Sequence, residues 1–278
     1  MAKFRVDGFA VITGGTGGIG KETGFTFAEA GAAGVLFADV SADAAAQAAE
    51  ESKKLATNQG YRALSIEVDV RSSESIQKMV DLAAKEFGRI DYCINAAGVD
   101  VAQYVPVTET SEDDYDRVMD INAKGAFLVS RAVARLMKEQ EPKIVTLPRH
   151  GTRDLGRGSI VNVASAASHG VVPAKLPYCA SKHALLGITR ACAMDLKSFG
   201  IRVNQVSPVW VKTPMFEEEC RRVPPIPDVV QKIIPAQRPM APDEVASAIQ
   251  FLCGPSSVFI HGISLLIDAG LLLGPVFA

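Results

Sequence analysis

The sequence has no strong excess of either charge, few aromatic side chains and no long apolar run. Its 278 residues carry 29 basic and 31 acidic side chains, which gives a formal net charge of −2. Such a balance gives no electrostatic reason to bind nucleic acid or an anionic membrane. The start of the chain, MAKFRVDGFAVITGG, lacks the apolar segment of a signal peptide, and no apolar run is long enough to span a bilayer. We therefore expect a cytoplasmic protein with no nucleic-acid or membrane partner.

Cysteine and histidine are also sparse. The five cysteines show no close pairing and no metal-ligand spacing, and the four histidines form no cluster. We expect reduced thiols in a cytosolic protein, and no metal site. Hydrophobic residues make up 48% of the chain, which is enough for one large core. Since α/β domains of this size often stay single, one domain over 1–278 is expected.

Short apolar runs alternate with helical patterns along the chain. Strands are predicted at 8–13, 34–39, 61–68, 90–95, 159–164, 201–207 and 263–267. Helices are predicted at 18–30, 42–58, 73–87, 111–138, 177–198 and 242–253. Continuous apolar strands between helices indicate a parallel sheet that is covered on both faces. The expected fold class is α/β, a single Rossmann-type doubly wound domain with a seven-stranded parallel sheet.

Two stretches interrupt this alternation. Residues 141–158 are polar, basic and glycine-containing, which predicts a surface insertion or hairpin. Residues 213–240 hold five prolines and mixed charge, and prolines at this density break any long helix. We interpret 213–240 as a mobile substrate lid with one or two short helices. The run EEECRR at 217–222 is most simply a solvated helical turn.

A glycine-rich turn, TGGTGGIG at 13–20, follows the first predicted strand and opens the first helix. It fits G-x-G-x-x-G in one frame and G-x-x-x-G-x-G in another. Glycines let the backbone approach a pyrophosphate, and a helix N-terminus supplies N–H donors and a positive dipole. The alternative is a tight turn without a ligand, and five glycines in seven residues argue against it.

Acidic and amide side chains stand at the ends of the next three strands. Asp39 lies nineteen residues after Gly20, where a carboxylate can accept both adenosine ribose hydroxyls and would repel a 2′-phosphate. Because no Arg or Lys occupies 15–19 or 40, the sequence predicts NAD as the cofactor. The alternative for Asp39 is a helix N-cap. Asp69 could accept from the adenine amino group, and the run NAAG at 95–98 would bring small residues against the cofactor. The alternative for Asn95 is an amide that bridges strands and does nothing else.

Tyr178 and Lys182 are four residues apart in YCASKHALLG, and Ser165 lies thirteen residues upstream. Residues four apart share a helix face, so the ammonium of Lys182 would favour the phenolate of Tyr178 and lower its pKa. A phenol tuned in this way can exchange a proton with an alcohol or a ketone near neutral pH. With the glycine-rich turn, the pattern predicts a nicotinamide-dependent oxidoreductase.

Over nearly its whole length the chain resembles the classical short-chain dehydrogenase/reductase family. The family's T-G-x-x-x-G-x-G motif corresponds to 13–20, and its N-A-G signature to NAAG at 95–98. The active-site Ser, Tyr and Lys of the family correspond to Ser165, Tyr178 and Lys182, and its helical Asn to Asn122. The family's usual Pro-Gly is here Pro208-Val209. The run PVWVKTPM and the insertion resemble a subgroup common among fungal members.

The resemblance implies a role for each matched residue. Ser165 would hydrogen-bond the substrate oxygen, and Tyr178 would transfer its proton. Lys182 would tune Tyr178 and hold the nicotinamide ribose, while Asn122 would hold a water that links Lys182 to solvent. Thr213 would bind the nicotinamide carboxamide. The residues expected at the cofactor are Gly14, Thr16, Gly18, Ile19, Gly20, Asp39, Asp69, Val70, Asn95, Ala96, Gly98, Tyr178, Lys182, Pro208 and Thr213.

The expected activity is the NAD(H)-dependent interconversion of a secondary alcohol and a ketone on a moderately hydrophobic small molecule. One alternative is a 3-oxoacyl-thioester reductase, which would more often use the phosphorylated cofactor. Another is a cofactor-binding protein without redox turnover. The resemblance also implies a homo-oligomer, a dimer or tetramer, that pairs helices 111–138 and 177–198. The residues expected to line the substrate pocket are Val171, Val172, Leu176, Trp210, Met215, Phe216 and Ile226.

Overall fold

Seven strands lie side by side and run in the same direction in the computed structural model, which describes residues 5–274. The first and last four residues of the expected domain therefore lie outside the described part. With two further strands that form a separate hairpin, β5 and β6, the described strands are β1 (Phe9–Thr13), β2 (Gly34–Asp39), β3 (Arg62–Glu67), β4 (Tyr92–Asn95), β5 (Ile144–Leu147), β6 (Gly151–Asp154), β7 (Gly158–Val163), β8 (Ile201–Pro208) and β9 (Ser264–Ile267). The sheet order is β3-β2-β1-β4-β7-β8-β9, and every pairing in it is parallel.

Helices cover both faces of this sheet. They are α1 (Gly18–Glu29), α2 (Ala42–Lys53), α3 (Ser73–Phe87), α4 (Glu112–Met119), α5 (Ala126–Lys138), α6 (Leu176–Leu196), α7 (Pro214–Arg222), α8 (Ile226–Ile233) and α9 (Pro242–Cys253). One apolar layer packs α3, α5 and α6 on the strands, and the other packs α1, α2 and α9. Successive side chains of β1 point to opposite faces of the sheet, so Val11 packs in the first layer and Ile12 in the second. The expected seven-stranded, doubly wound fold is confirmed.

Two predicted helices differ from the observed ones. The helix predicted at 111–138 contains a π-helical segment, Asp120–Gly125, between α4 and α5. The wider turn allows the side chain of Asn122 to hydrogen-bond the backbone of Val99 instead of solvent. The helix predicted at 42–58 ends at Lys53, because Thr57 bonds back to the end of α1 through its backbone N–H and its hydroxyl.

The direction of the strand order reverses between β1 and β4. Thr13 and Asn95 are register partners at the ends of these two strands. Ligands of open α/β sheets bind in the crevice that opens beyond the carboxyl ends of the strands at such a reversal. The glycine-rich turn leaves β1 at this point, so the fold brings it to the edge where a ligand would bind.

The two interrupting stretches have structures of their own. Residues 141–158 contain β5 and β6, an antiparallel hairpin that is fixed to the body where Arg153 donates to the carbonyl of Pro255 at 2.9 Å. Residues 213–240 contain α7 and α8, whose apolar side chains pack on Trp210. Within residues 5–274, no helix is both long and apolar enough to cross a bilayer.

Candidate active site

A cleft of about 620 Å³ opens at the carboxyl ends of β1, β2 and β4. Most of the residues expected at the cofactor line it: Gly14, Thr16, Gly18, Ile19, Gly20, Asp39, Asp69, Val70, Ala96, Gly98, Tyr178, Lys182 and Thr213. Two of the expected residues lie elsewhere. Pro208 lines a neighbouring cavity, and Asn95 is buried within the sheet.

The glycines of the turn are required by its shape. Gly14 has φ +67, and a Cβ there would lie 2.6 Å from the backbone N of Ala97. A Cβ on Gly20 would collide with the carbonyl oxygen of Gly14. Among the described residues, no side chain caps the start of α1, so its first N–H groups are left for a ligand in the cleft. This geometry suits a pyrophosphate.

Asp39 faces the cleft from the end of β2, and Thr16 fixes its carboxylate. The Thr16 hydroxyl donates to Oδ2 of Asp39 at 2.8 Å, and the Thr16 backbone N–H donates to the same atom at 3.3 Å. The N-cap of α2 is Ser41, whose hydroxyl accepts from the N–H of Ala44. The N–H of Ser41 donates to the other oxygen of Asp39, Oδ1, at 3.4 Å. The alternative of Asp39 as an N-cap is therefore wrong, and its carboxylate lines the cleft.

Asp69 is paired with a cation that the sequence reasoning missed. Arg71 donates to both carboxylate oxygens of Asp69, with Nη2 2.7 Å from Oδ2 and Nε 3.0 Å from Oδ1. These bonds from Arg71 hold the pKa of Asp69 below its usual range. Arg71 also lines the cleft, but its charge is balanced by Asp69.

Asn95 makes its contacts inside the protein. Its amide N–H groups donate to Asn162 Oδ1 at 2.7 Å and to Ser130 Oγ at 2.9 Å, which links β4 to β7 and α5. The side chain is buried and lies outside the lining of the cleft. This is the bridging amide that the sequence left open as the alternative for Asn95.

A second cavity of about 540 Å³ adjoins the cleft beside the segment at 213–240. Six of the seven residues expected around a substrate line it: Val171, Val172, Trp210, Met215, Phe216 and Ile226. Leu176, the first residue of α6, lies outside this lining and is 39% exposed. Ser165 also lines the second cavity, so a substrate oxygen could reach its hydroxyl.

Tyr178 stands where the two cavities meet, since it lines both of them. Lys182 lies one turn later on α6 and faces the cleft, with its Nζ 5.5 Å from the centre of the Tyr178 ring. That ammonium donates to the carbonyl of Val163 at 3.1 Å, which fixes its position. The three matched residues thus divide between the two spaces, with Lys182 toward the cleft, Ser165 toward the second cavity and Tyr178 between them.

Burial dominates the electrostatics of this group. Loss of water raises the pKa of Tyr178, although a hydrogen bond with Ser165 opposes the shift, and the carboxylates of Asp100 and Glu219 raise the pKa further. The net shift of the Tyr178 pKa is upward because burial is its largest cause. The Lys182 ammonium lies more than 5 Å from the centre of the ring, and its expected lowering of this pKa stays a prediction. Burial also lowers the pKa of Lys182 to about 8.

Asn122 lies in the π-helical segment and is buried. Its carboxamide accepts from the N–H of Val99 at 2.8 Å, donates to the carbonyl of Val99 at 2.9 Å and donates to Ser181 Oγ at 3.1 Å. These bonds fix the chain after β4 to the helix that carries Tyr178. The expected role in holding a water near Lys182 stays a prediction.

Four polar residues in the second cavity escaped the sequence reasoning: Asp100, Tyr104, Lys175 and Glu219. Glu219 belongs to the run interpreted as a solvated turn, yet it is 4% exposed and accepts from Lys175 at 2.9 Å. That interpretation is wrong for Glu219, because α7 turns this residue inward. The signal was its spacing from Met215, since residues four apart share a helix face.

Comparisons with known proteins agree with this geometry. A family profile described as enoyl-(acyl carrier protein) reductase matches residues 14–272. The short-chain dehydrogenase fogB of Aspergillus ruber is 39% identical over 267 residues, which are 95% of this chain and 97% of that protein. The NAD-dependent glycerol dehydrogenase of Listeria innocua is 33% identical over 264 residues, 95% of this chain and 93% of that protein. The crystal structure of levodione reductase is similar with a TM-score of 0.86 and 26% identity, over 98% of this chain and 100% of that chain. The chain belongs to the classical short-chain dehydrogenase/reductase family, whose members bind a nicotinamide cofactor.

Proposed function

We propose that the protein is an NAD(H)-dependent oxidoreductase that interconverts a secondary alcohol and a ketone on a moderately hydrophobic small molecule. The observation that carries this proposal is the position of Tyr178, which lines both the cleft and the second cavity. A proton donor at that junction can act on a substrate while the substrate faces a cofactor in the cleft.

The charges in the cleft favour NAD(H) over NADP(H). Asp39 would accept from the ribose hydroxyls and would repel a 2′-phosphate. Arg71 is the cation that could offset this repulsion, but its Nε and Nη2 groups donate to Asp69. The glycine-rich turn and the uncapped start of α1 would receive the pyrophosphate. The Listeria innocua relative is named an NAD-dependent dehydrogenase, which supports NAD as the cofactor.

A bound nicotinamide supplies a hydride in the reductive direction and accepts one in the oxidative direction. In reduction, Tyr178 gives its phenolic proton to the ketone oxygen, and the raised pKa of that phenol keeps it protonated beforehand. Ser165 hydrogen-bonds the same oxygen and orients it. Lys182, with its pKa lowered to about 8, can return a proton toward Tyr178 near neutral pH. The oxidative direction uses the same groups in reverse.

The walls of the second cavity define the substrate class. Its apolar side chains come largely from the loop after Ser165 and from the segment at 213–240. Because this segment begins at Thr213, which lines both spaces, we assign it as a lid over the reacting groups. A closed lid would keep water away from hydride transfer.

The proposed activity predicts consumption of NADH when apolar ketones are offered. The measurement is the loss of NADH absorbance with 1-indanone, 1-tetralone and cyclohexanone, each repeated with NADPH. Acetoacetyl-coenzyme A serves as the comparison substrate for the thioester reductase. Preference for NADPH and for the thioester would favour that alternative. Tight NADH binding with no turnover in either direction would favour the cofactor-binding protein.

We also infer a homo-oligomer, because α5 and α6 each present a large apolar residue to solvent. Phe127 on α5 is 40% exposed and Met194 on α6 is 63% exposed. Light scattering at micromolar concentration should give the mass of a dimer or tetramer, and Phe127→Glu with Met194→Glu should reduce it to that of one chain. Val107→Glu, at an exposed position away from both helices, is the control and should leave the mass unchanged. A monomeric mass for the unchanged protein would refute the inference.

All five cysteines are free in the structure. We keep the cytoplasm as the proposed location.

A further inference from the structure

A group of charged side chains interrupts the apolar wall of the second cavity, and we call it the polar cluster. It consists of Asp100, Tyr104, Lys175, Glu219 and Arg222. Nζ of Lys175 lies 2.9 Å from Asp100 Oδ2 and 2.9 Å from Glu219 Oε1. Arg222 Nη2 lies 3.4 Å from Asp100 Oδ2. The two cations balance the two carboxylates.

The cluster is buried close to the reacting group. Lys175, Asp100 and Glu219 are 5%, 8% and 4% exposed. Nζ of Lys175 lies 5.1 Å from the centre of the Tyr178 ring. Burying charges is costly, and well-packed apolar residues often stabilise a protein as much as a buried ion pair does. Stability alone therefore gives no reason for this group, whereas a polar contact with a ligand would.

The cluster has hydrogen-bonding capacity that its own members leave unused. An ammonium has three N–H donors, and two of those of Lys175 face the carboxylates. Burial and the hydrogen bond to Glu219 raise the pKa of Tyr104, so its phenol stays protonated and donates to Oε1 of Glu219. The bonds formed among the described residues involve Oε1 and leave Oε2 of Glu219 without a partner. One donor and one acceptor thus remain beside the cavity that both residues line.

We propose that Lys175 and Glu219 bind a second hydroxyl group of the substrate. A hydroxyl group accepts one hydrogen bond and donates another, so it satisfies both unused positions. A carbonyl or a carboxylate has no hydrogen to donate, so either would leave Oε2 of Glu219 without a donor. The inference rests on the proposed function and makes the substrate an apolar diol in oxidation and a hydroxyketone in reduction.

The short distance between the cluster and Tyr178 restricts where the second hydroxyl stands. With Lys175 Nζ 5.1 Å from the centre of the Tyr178 ring, the bound hydroxyl lies on the same side of the cavity as the reacting group. The simplest substrates with two hydroxyl groups so near each other are 1,2- and 1,3-diols on an apolar frame. These are the substrates that the proposal selects for testing.

Binding to the protein with NADH tests the subsite without turnover, because an alcohol and NADH are both in the reduced form. Isothermal titration calorimetry would compare 1,2-indanediol and 1,3-indanediol with 1-indanol, and each titration would be repeated without nucleotide. Hydrogen bonds to charged groups are worth about 1.5–3 kcal/mol, so one diol should bind about 10- to 100-fold more tightly than 1-indanol. Equal affinities for all three alcohols would overturn the proposal.

The matched variant is Lys175→Met combined with Glu219→Gln, which removes one charge of each sign and keeps the cluster balanced. The preference for the diol should fall to within about twofold of 1-indanol in this variant. Any general effect of the substitutions on the lid changes the affinities for 1-indanol and for the diol alike. The preference, which is the ratio of these two affinities, therefore reports only the contact with the second hydroxyl. If the double variant keeps the full preference for the diol, then Lys175 and Glu219 do not bind the second hydroxyl. The cluster would then serve only to hold α7 against the body of the protein.

Two outcomes separate this inference from the proposed function. A diol preference that depends on Lys175 and Glu219, in a protein that oxidises none of the alcohols with NAD, would support the subsite and refute the activity. Oxidation of 1-indanol and of both diols with equal kcat/KM would support the activity and refute the subsite.

Discussion

Replacing Tyr178 with phenylalanine will lower kcat for ketone reduction by about 10³-fold and leave the NADH dissociation constant within about twofold. The substitution removes one hydroxyl and keeps the ring that separates the cleft from the second cavity. Ser165 remains to hydrogen-bond the substrate oxygen, but its alcohol is too weak an acid to replace the phenol. Single-turnover absorbance and NADH fluorescence titration measure the two quantities separately.

Tyr115→Phe is the matched control, because it removes the same hydroxyl from a tyrosine of α4 that is 36% exposed. It should leave both kcat and the NADH dissociation constant unchanged. Turnover of the Tyr178 variant within a few-fold of the unchanged protein would remove the proton-donor role from this residue. An equal loss in the Tyr115 variant would show that the assay responds to stability.

The parts of the site that follow a local rule could be predicted from the sequence. The glycine-rich turn is one of them, since the positive φ of Gly14 and the close approach at Gly20 leave no room for another residue. The position of Asp39 is another, because it depends on the end of one strand and the start of the next helix. Strands buried on both faces are continuous apolar runs, so the sheet could be predicted in the same way.

The parts that depend on distant segments could not be predicted. Lys175 and Glu219 are 44 residues apart, and Asp100 comes from the loop after β4. Only the packing of α7 on the body makes them neighbours. The π-helical segment likewise depends on the bond between Asn122 and Val99, 23 residues apart. The raised pKa of Tyr178 has the same origin, since it depends on how completely the fold excludes water.

The proposed lid and the proposed acid/base group, Tyr178, are electrostatically linked. Glu219 lies on α7, within the proposed lid. The carboxylates of Glu219 and Asp100 both raise the pKa of Tyr178. Lys175 is bonded to both carboxylates and lies directly before α6, the helix that carries Tyr178. Movement of α7 away from the body would therefore both open the second cavity and change the acidity of the phenol.

Replacing Asp39 with alanine and Val40 with arginine will shift the ratio of NADPH to NADH affinity by about 100-fold toward NADPH. The change removes the carboxylate that is proposed to accept from the adenosine ribose and places a guanidinium at the neighbouring position. Val40 is 67% exposed and lines the cleft, so arginine fits there without repacking the core. Opposite charges about 4 Å apart near a protein surface attract by up to about 4 kcal/mol, and about 2.7 kcal/mol corresponds to 100-fold.

The hydroxyl of Thr16 adds to the same shift. In the unchanged protein it donates to Asp39 at 2.8 Å, and without that carboxylate it can donate to a phosphate. Arg71 cannot bring about the change by itself, because it stays bonded to Asp69. Fluorescence titrations of both nucleotides measure the ratio, and Val40→Arg alone is the control, which should shift it less because Asp39 still repels the phosphate. If the unchanged protein already binds NADPH more tightly than NADH, then Asp39 does not select the cofactor, and Arg71 would have to leave Asp69 to meet the phosphate.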